Sequence, residues 1–355
     1  MLLDPKEDYP ILNNCTYLNT ARSGLLSKSL KKWRAEHDDW FLKEGSKFRK
    51  NQEDFLSAVR HTIASLFDAV RDRVVLVPNV SIGINIFLDR LPKQMSVLMI
   101  EDDYPSINNA IEVRNFNPYY VSLADNLEEV IYEAIKTNSP DMLAVSWVHY
   151  KTGIKIEKDF FKTLKSDFPE LLIVVDGTQY CGTAPVHFDF SGIDVLGASG
   201  YKWLSAGYGN GFMLYSEKAI DLLSIHHVTK MSATYNQYES LLQFYNQPGH
   251  LDTMNFGSLQ FAIRQLRYNE EPVIYNKIKT LSSLAKSCFS EKGLLDDIVM
   301  KRKSHSSIFL IKGGEKLYYK LEENRILTSL WQDKVRVSFH YYNTEEDLNS
   351  LLKFL

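Results

Sequence analysis

The sequence predicts an α/β protein whose larger domain is built on a mostly parallel β-sheet with helices on both faces. Short runs rich in Val, Ile and Leu occur at residues 74–77, 96–100, 142–148, 171–176, 195–198 and 211–215. Such near-continuous apolar runs are typical of strands buried on both faces. Segments with helical spacing of apolar residues lie between most of the runs. This alternation favours parallel strands joined by crossover helices.

The chain divides into three predicted regions. Residues 51–260 are expected to form the large domain. Residues 261–355 are expected to form a small α+β domain, because a long helical stretch is followed there by strand-like runs at 307–312 and 334–340. A last helix is predicted over 344–355, where Thr344 suits an N-cap and acidic residues follow it. We expect residues 1–50 to complete the small domain.

Composition argues against several classes of protein. The net charge is -3, whereas a dedicated nucleic-acid binder carries a basic excess. Cys15, Cys181 and Cys288 lie far apart without a Cys-x-x-Cys pair, so we expect neither a disulfide framework nor a metal site. The apolar runs are too short to span a membrane, and the N-terminus does not resemble a signal peptide. We therefore expect a cytoplasmic protein that binds neither nucleic acid nor membrane.

Candidate functional residues follow the predicted strands, because ligands of open α/β sheets bind beyond the carboxyl ends of the strands. Ser81 lies at a predicted helix start, which suits either an N-cap or an anion site. Asp176 ends a strand, where it either caps the next element or binds a cationic group. Lys202 has apolar and aromatic neighbours, so it either extends to solvent or has a lowered pKa and forms a Schiff base. Together these residues are what pyridoxal phosphate needs: an aspartate for its pyridinium nitrogen, a lysine for its aldehyde and a helix N-terminus for its phosphate.

Eight stretches of the sequence resemble the class V aminotransferase family of fold-type I pyridoxal-phosphate enzymes. They occur in family order: YLNTARSGLL (17–26), VPNVSIGIN (77–85), EDDYPS (101–106), VVDGTQYCG (174–182), SGYKWL (199–204), GNGF (209–212), FGS (256–258) and RVSFHYYNTEED (336–347). The resemblance implies a large domain with a mostly parallel seven-stranded sheet flanked by helices, and a small α+β C-terminal domain. It also implies dependence on pyridoxal 5'-phosphate.

The resemblance assigns roles to individual residues. Lys202 matches the Schiff-base lysine and Asp176 the partner of the pyridinium nitrogen, while Gln179 matches a residue that reaches the ring hydroxyl. Tyr104 occupies the position that stacks on the ring, where cysteine desulfurases carry histidine. The implied phosphate ligands are Val80 through its N–H, Ser81, Ser199 and Tyr201. Ser258 matches a residue that reaches the phosphate of the partner subunit's cofactor, which implies a homodimer.

The same resemblance points to an amino acid, or its keto acid, as substrate. Arg336 matches the arginine that clamps the substrate carboxylate, a task that suits its planar fork. The N-terminal segment approaches the active site in the family, which makes Arg22 a candidate for the site wall. His149 and Tyr150 are further candidates for the substrate side. Trp331 lies about where many relatives carry a second arginine, so it either packs in the small domain or favours an apolar or aromatic substrate.

The reaction subclass stays open at the level of sequence. Cysteine desulfurases need a nucleophilic cysteine on a loop before the terminal arginine, and residues 313–336 contain none. This disfavours a desulfurase or a selenocysteine lyase. Transamination is the first choice, and epimerisation, racemisation, β-elimination and kynureninase-like cleavage remain, because the cofactor labilises every bond of the substrate α-carbon. A non-catalytic binding protein is a further alternative, which the intact Asp176 and Lys202 disfavour.

Overall fold

The computed structural model describes residues 4–223, 241–247 and 249–355. Its strands are, in chain order, β1 (Thr16–Tyr17), β2 (Val74–Val77), β3 (Ser96–Ile100), β4 (Asn117–Val121), β5 (Met142–Ser146), β6 (Leu172–Asp176), β7 (Val195–Ser199), β8 (Gly211–Tyr215), β9 (Ile308–Lys312), β10 (Ile326–Leu327), β11 (Ser329–Trp331) and β12 (Lys334–Ser338). Its α-helices are α1 (Pro5–Asp8), α2 (Lys28–Glu44), α3 (Gln52–Phe67), α4 (Val80–Leu88), α5 (Pro105–Glu112), α6 (Leu127–Asn138), α7 (Lys158–Asp167), α8 (Glu217–Leu222), α9 (Leu241–Asn246), α10 (Thr253–Tyr268), α11 (Glu271–Glu291), α12 (Asp297–Lys301), α13 (Gly314–Glu323) and α14 (Glu345–Leu352).

The central sheet has seven strands in the order β2-β8-β7-β6-β5-β3-β4. The ladders from β7 to β4 are parallel, and β8 runs antiparallel to both of its neighbours. The predicted mostly parallel sheet is therefore confirmed. The six apolar runs correspond to six of its strands. The seventh, β4, has no apolar run because it is an edge strand with four of its five residues exposed.

Both faces of the sheet are covered, as near-continuous apolar strands require. Val74 and Leu76 belong to the core on one face, and Val75 and Val77 to the core on the other, which is the two-residue period of a strand. The second core includes apolar residues of α4 and α5, such as Phe87. Helices therefore lie on both faces, and the carboxyl ends of the parallel strands remain available at one edge.

A second, smaller sheet lies in the C-terminal part of the chain. It is antiparallel, in the order β11-β12-β9. The N-terminal segment joins this region, since β1 pairs with β10 in parallel and Asn19 forms a bridge with Ser338. The long helical stretch predicted at the start of the small domain is divided between α10 and α11, because Glu270 has a positive φ of 56° and Pro272 lies in the first turn of α11. The last helix begins as predicted, with Thr344 in a capping box. The division at residues 50 and 260 stays a prediction.

In the described ranges, no helix combines the length and apolar character that a membrane crossing requires.

Candidate active site

Asp176 and Lys202 lie close together at the carboxyl edge of the central sheet. Asp176 is the last residue of β6, and Lys202 follows β7, the parallel neighbour of β6. Both side chains are buried, with 4 % and 6 % of their surfaces exposed. Burying two ionisable groups is costly unless they serve each other or a ligand. This pair is therefore the starting point of the candidate site.

The Asp176 carboxylate is poised to accept a cationic partner. One oxygen, Oδ1, accepts a hydrogen bond from the backbone N–H of Thr178 at 2.8 Å. Burial raises the pKa of Asp176, while the Thr178 hydrogen bonds and the charge of Lys202 oppose that rise. A protonated pyridine nitrogen is a cation of the kind that such a carboxylate binds.

The Lys202 amine lies between two aromatic rings. Its Nζ is 5.5 Å from the ring centroid of Tyr104 and 5.5 Å from that of Tyr201. Burial lowers the pKa of Lys202 to about 8, although the charge of Asp176 raises it and that of Arg336 lowers it further. A substantial fraction of the amine is therefore neutral, and so nucleophilic and basic, just above neutral pH.

Hydroxyl groups and a helix N-terminus form one end of the site. The N–H of Val80, at the start of α4, donates to Ser199 Oγ at 2.9 Å, and Ser81 Oγ lies 2.6 Å from Ser106 Oγ. The N–H of Ser199 donates to Thr178 Oγ1 at 3.1 Å. Hydroxyls and N–H groups at a helix start are a phosphate-binding arrangement, and a phosphate bound here would take over the Val80 N–H from Ser199 Oγ. Ser106 and Thr178 are further candidates that were not predicted from the sequence, although they lie in two of the stretches that resemble the family, 101–106 and 174–182.

Tyr201 lies at the same end of the site and stacks on Tyr208, with ring centroids 5.2 Å apart and planes 27° apart. Burial raises the pKa of the Tyr201 phenol. The hydroxyl therefore stays protonated at neutral pH and is able to donate a hydrogen bond to a phosphate.

Gln179 is buried beside the pair but has partners at both ends of its amide. Its Nε2 donates to the Ala21 carbonyl at 3.0 Å, and its Oε1 accepts from Trp203 Nε1 at 2.7 Å. Gln179 therefore joins the N-terminal segment to the loop that contains Lys202. One Nε2 hydrogen remains for a ring hydroxyl, so the predicted cofactor contact stays a prediction. Trp203 is a further supporting residue that sequence reasoning did not single out.

A wall of aromatic residues continues from Tyr104 toward the small domain. The Tyr104 and Tyr150 rings meet edge to face at 5.3 Å, and the Tyr150 and Trp331 rings at 5.4 Å. Asp103 positions this wall, because its buried carboxylate accepts from the N–H groups of Tyr104 and Ser146, each at 2.7 Å. The predicted candidates Tyr104, Tyr150 and Trp331 are thus neighbours in space.

Arg336 lies at the end of this wall, and only some of its guanidinium N–H groups have hydrogen-bond acceptors among the described residues. It is 3 % exposed, its Nη1 donates to the Tyr150 carbonyl at 2.7 Å, and its Cζ lies 5.1 Å from the Trp331 ring. Its Nε and the Nε1 of Trp331 are buried without an acceptor among the described residues. Burial and the nearby charge of Arg22, which is itself exposed, lower the pKa of Arg336 to about 10. The guanidinium is still cationic at neutral pH and has donors left for a carboxylate.

His149 is buried next to Tyr150 and is held by groups of the chain. It is 4 % exposed, and its ring nitrogens lie 2.9 Å from Thr152 Oγ1 and 3.0 Å from the Asp102 carbonyl. Burial lowers its pKa. The ring therefore holds the loop that positions Tyr150, and its suggested contact with substrate stays a prediction.

Ser258 is fully buried within α10. Its Oγ donates to the Met254 carbonyl at 2.7 Å and accepts from Arg34 Nε at 2.9 Å. These contacts leave no exposed surface for a second subunit. The suggested contribution of Ser258 to a partner's site requires Arg34 to move away, and it stays a prediction.

In the described part of the chain, neither metal ligands nor a reactive thiol accompany this cluster. Among the described residues, no group of three His, Cys, Asp or Glu side chains is arranged to hold a metal. Cys181, the cysteine nearest to Asp176 in sequence, is buried, and burial raises the pKa of its thiol. A buried neutral thiol is a poor nucleophile.

This fold and this cluster define a class of enzyme: an α/β protein that holds pyridoxal phosphate at the carboxyl ends of its parallel strands. The chain belongs to the class V aminotransferase family, whose model matches residues 24–351. A curated relative, the uncharacterized aminotransferase YcbU of Bacillus subtilis, is 22 % identical over 354 residues, which cover 96 % of this chain and 93 % of the relative.

Solved structures share the fold. A mutant of C-DES with glycine covalently linked to its PLP cofactor matches with a TM-score of 0.85 and 17 % identity, covering 98 % of both chains. The apo cysteine desulfurase of Thermococcus onnurineus matches with a TM-score of 0.78 and 16 % identity, covering 99 % of this chain and 97 % of that one. At these identities the likeness establishes the architecture.

Proposed function

We propose that this protein is a pyridoxal-phosphate-dependent aminotransferase that acts on an amino acid. The observation that carries the proposal is the buried pair of Asp176 and Lys202 at adjacent strand ends, with the Tyr104 ring beside the amine. Pyridoxal phosphate, when bound, supplies an electron sink for the substrate α-carbon. In this chain, Asp176 would hold the ring nitrogen. The Val80 N–H with Ser81, Ser106, Ser199 and Tyr201 would hold the phosphate.

The remaining residues of the site bind and orient the substrate. Arg336 would bind the substrate carboxylate through Nε and Nη2, the donors that its hydrogen bond to the Tyr150 carbonyl leaves. The Lys202 amine, with its pKa lowered to about 8, takes and returns the α-proton. Tyr104, Tyr150 and Trp331 exclude water from this exchange and form an apolar surface for the substrate side chain.

A second candidate reaction is β-elimination at a sulfur-containing amino acid. One structural neighbour with a TM-score of 0.84 is described as a cystine C-S lyase, in complex with cysteine persulfide. Such an elimination uses the same lysine and carboxylate clamp and needs no cysteine nucleophile, which agrees with the buried, neutral Cys181. Both reactions begin with loss of the α-proton. β-Elimination then breaks the bond between the β-carbon and sulfur and releases ammonia and pyruvate, whereas transamination passes the amino group to a keto acid.

We further propose a cytoplasmic homodimer. Several large apolar side chains are exposed in the single chain, among them Trp40, Phe41, Leu42 and Tyr208. Tyr208 stacks on Tyr201 of the site, so a partner covering it would close that end of the site. The three cysteines are unpaired, which fits a reducing compartment. Light scattering on the purified protein tests the dimer: a monomer at micromolar concentration would contradict it.

A panel of amino acids, including cystine, tests the proposed reaction. Holoenzyme is incubated with each amino acid and 2-oxoglutarate, and the keto acid, glutamate, ammonia and sulfide are measured. Transamination predicts keto acid and glutamate in equal amounts without ammonia. β-Elimination predicts ammonia with pyruvate. Lys202→Ala should lose either activity. No turnover with any substrate would contradict the proposed function.

A further inference from the structure

A cavity of about 930 Å³ lies away from the cluster of Asp176 and Lys202. Helix α11 forms one wall, the loop at residues 303–307 forms a second, and Lys155 and residues 183–185 form a third. None of the proposed cofactor or substrate residues lines it. Its volume is that of a small-molecule site, for which the usual range is roughly 300–1,000 Å³.

The cavity is positively charged. Its walls carry Lys155, Lys279, Lys286 and Lys303, and none of its described lining residues is an aspartate or glutamate. Lys286 donates to the backbone carbonyls of Met300 and Arg302. The other three lysines form no ion pair in the described ranges. Burial lowers the pKa of Lys155 and of Lys286, and the charge of Arg302 lowers both further, while Glu157 and Glu128 oppose the shift at Lys155. The only carboxylates that act on Lys155 among the described residues, Glu157 and Glu128, lie outside the lining, so the cavity itself presents positive charge without a carboxylate.

Hydroxyl groups supplement the lysines. Seven serines and Thr183 line the cavity, but four of the serine hydroxyls and that of Thr183 already donate to groups of the chain. Ser307 among them is 3 % exposed, and its Oγ is buried without a partner in the described part of the chain. A buried hydroxyl without a partner costs free energy that a ligand oxygen would recover. Lysine ammonium groups with hydroxyl donors are a donor set that suits phosphate oxygens.

Two aromatic side chains give the cavity an apolar part. Tyr180 and Tyr275 both line it and are at most 9 % exposed. Tyr180 is fixed by stacking on Trp147, with ring centroids 3.9 Å apart and planes 1° apart. Inorganic phosphate uses neither the full volume nor the aromatic surface, whereas a phosphate ester with a ring uses both.

We propose that this cavity binds a small organic phosphate of the size of a nucleoside monophosphate. The phosphate lies among Lys155, Lys279 and Lys303, with the Ser307 hydroxyl as a further donor. The organic part lies against Tyr180 and Tyr275. This site is separate from the proposed cofactor site, so it is tested on protein already loaded with pyridoxal phosphate.

Isothermal titration of the holoenzyme with AMP, adenosine and inorganic phosphate tests the proposal. AMP should bind saturably, one molecule per chain, and both adenosine and inorganic phosphate should bind about tenfold more weakly or not at all. Raising the salt concentration should weaken AMP binding, because exposed charges are screened. The variant Lys279→Ala/Lys303→Ala should weaken AMP binding by about tenfold or more. Both side chains are exposed, so this variant is expected to fold.

The matched control is Lys162→Ala/Lys316→Ala, which removes the same charge from exposed positions outside the cavity. It should bind AMP as the unaltered protein does. Absence of saturable AMP binding would overturn the proposal. So would equal AMP binding by the two double variants, or inorganic phosphate binding as tightly as AMP.

Discussion

Replacing Arg336 with lysine should damage substrate binding far more than it damages the protein. The guanidinium is 3 % exposed, donates Nη1 to the Tyr150 carbonyl and keeps a buried Nε without an acceptor among the described residues. Nε and Nη2 together match the two oxygens of a carboxylate. Lysine retains the positive charge but lacks the planar guanidinium, so it keeps about one of the two charge-assisted hydrogen bonds to the substrate carboxylate.

The magnitude follows from that single lost bond. A hydrogen bond to a charged group contributes about 1.5–3 kcal/mol, and each 1.4 kcal/mol is about a factor of ten. We therefore expect kcat/KM of Arg336→Lys to fall by roughly tenfold to a hundredfold. Because the carboxylate is bound equally in the ground and transition states, most of the change should appear in KM.

Steady-state kinetics with the preferred amino acid, and with the matching amine that lacks the carboxylate, measure this effect. The unaltered enzyme should prefer the amino acid strongly, and Arg336→Lys should narrow that preference. Arg73→Lys is the matched control, since Arg73 pairs with Asp189 outside the site. A KM for Arg336→Lys within twofold of the unaltered enzyme, with the preference intact, would refute the assignment of the carboxylate clamp.

Three further predictions concern the site's support and the fold. Thr178→Val removes the hydroxyl that accepts from the Ser199 N–H, so pyridoxal-phosphate affinity should fall by about tenfold, measured by equilibrium titration of the apoprotein; unchanged affinity would contradict its supporting role. Gly153→Ala should lower the free energy of unfolding by about 3 kcal/mol, because φ is +74° and a Cβ would overlap the backbone of β9. Gly293→Ala, where φ is +64° but the surrounding space is open, should lower it by only about 1 kcal/mol. Equal urea denaturation midpoints for the two variants would contradict this. Burial lowers the pKa of His340 to about 3, below the ordinary value of about 6.5. The contribution of neutral His340 to stability is therefore complete above pH 6.5 and declines as the pH falls toward 3. In His340→Gln the melting temperature should fall less steeply with decreasing pH, and an equally steep fall would contradict this.

The sequence predicts the central sheet well because its strands are buried on both faces. Runs such as 171–176 are apolar along their whole length, and that pattern has few other interpretations. Strand β4 lacks such an apolar run, because it lies at the sheet edge and four of its residues are exposed. Its pairing with β3 is a tertiary fact that no local pattern contains.

Some residues of the candidate site could likewise be predicted from the sequence, and others could not. Asp176 and Lys202 follow from their positions at strand ends, and the structure brings them together. Gln179 shows what local reasoning cannot reach, because its partners Ala21 and Trp203 lie on other segments of the chain. Ser258 matches a motif by residue type, but its burial against Arg34 is set by the packing of α10 on α2.

The most direct test of the account is to locate the covalently bound cofactor. Holoenzyme is reduced with borohydride and digested, and the peptides are analysed by mass spectrometry. The reduced pyridoxyl phosphate label is expected on Lys202 and should disappear in Lys202→Ala. A label on any other lysine, or protein that takes up no pyridoxal phosphate, would contradict the proposal that Lys202 and Asp176 form the cofactor site.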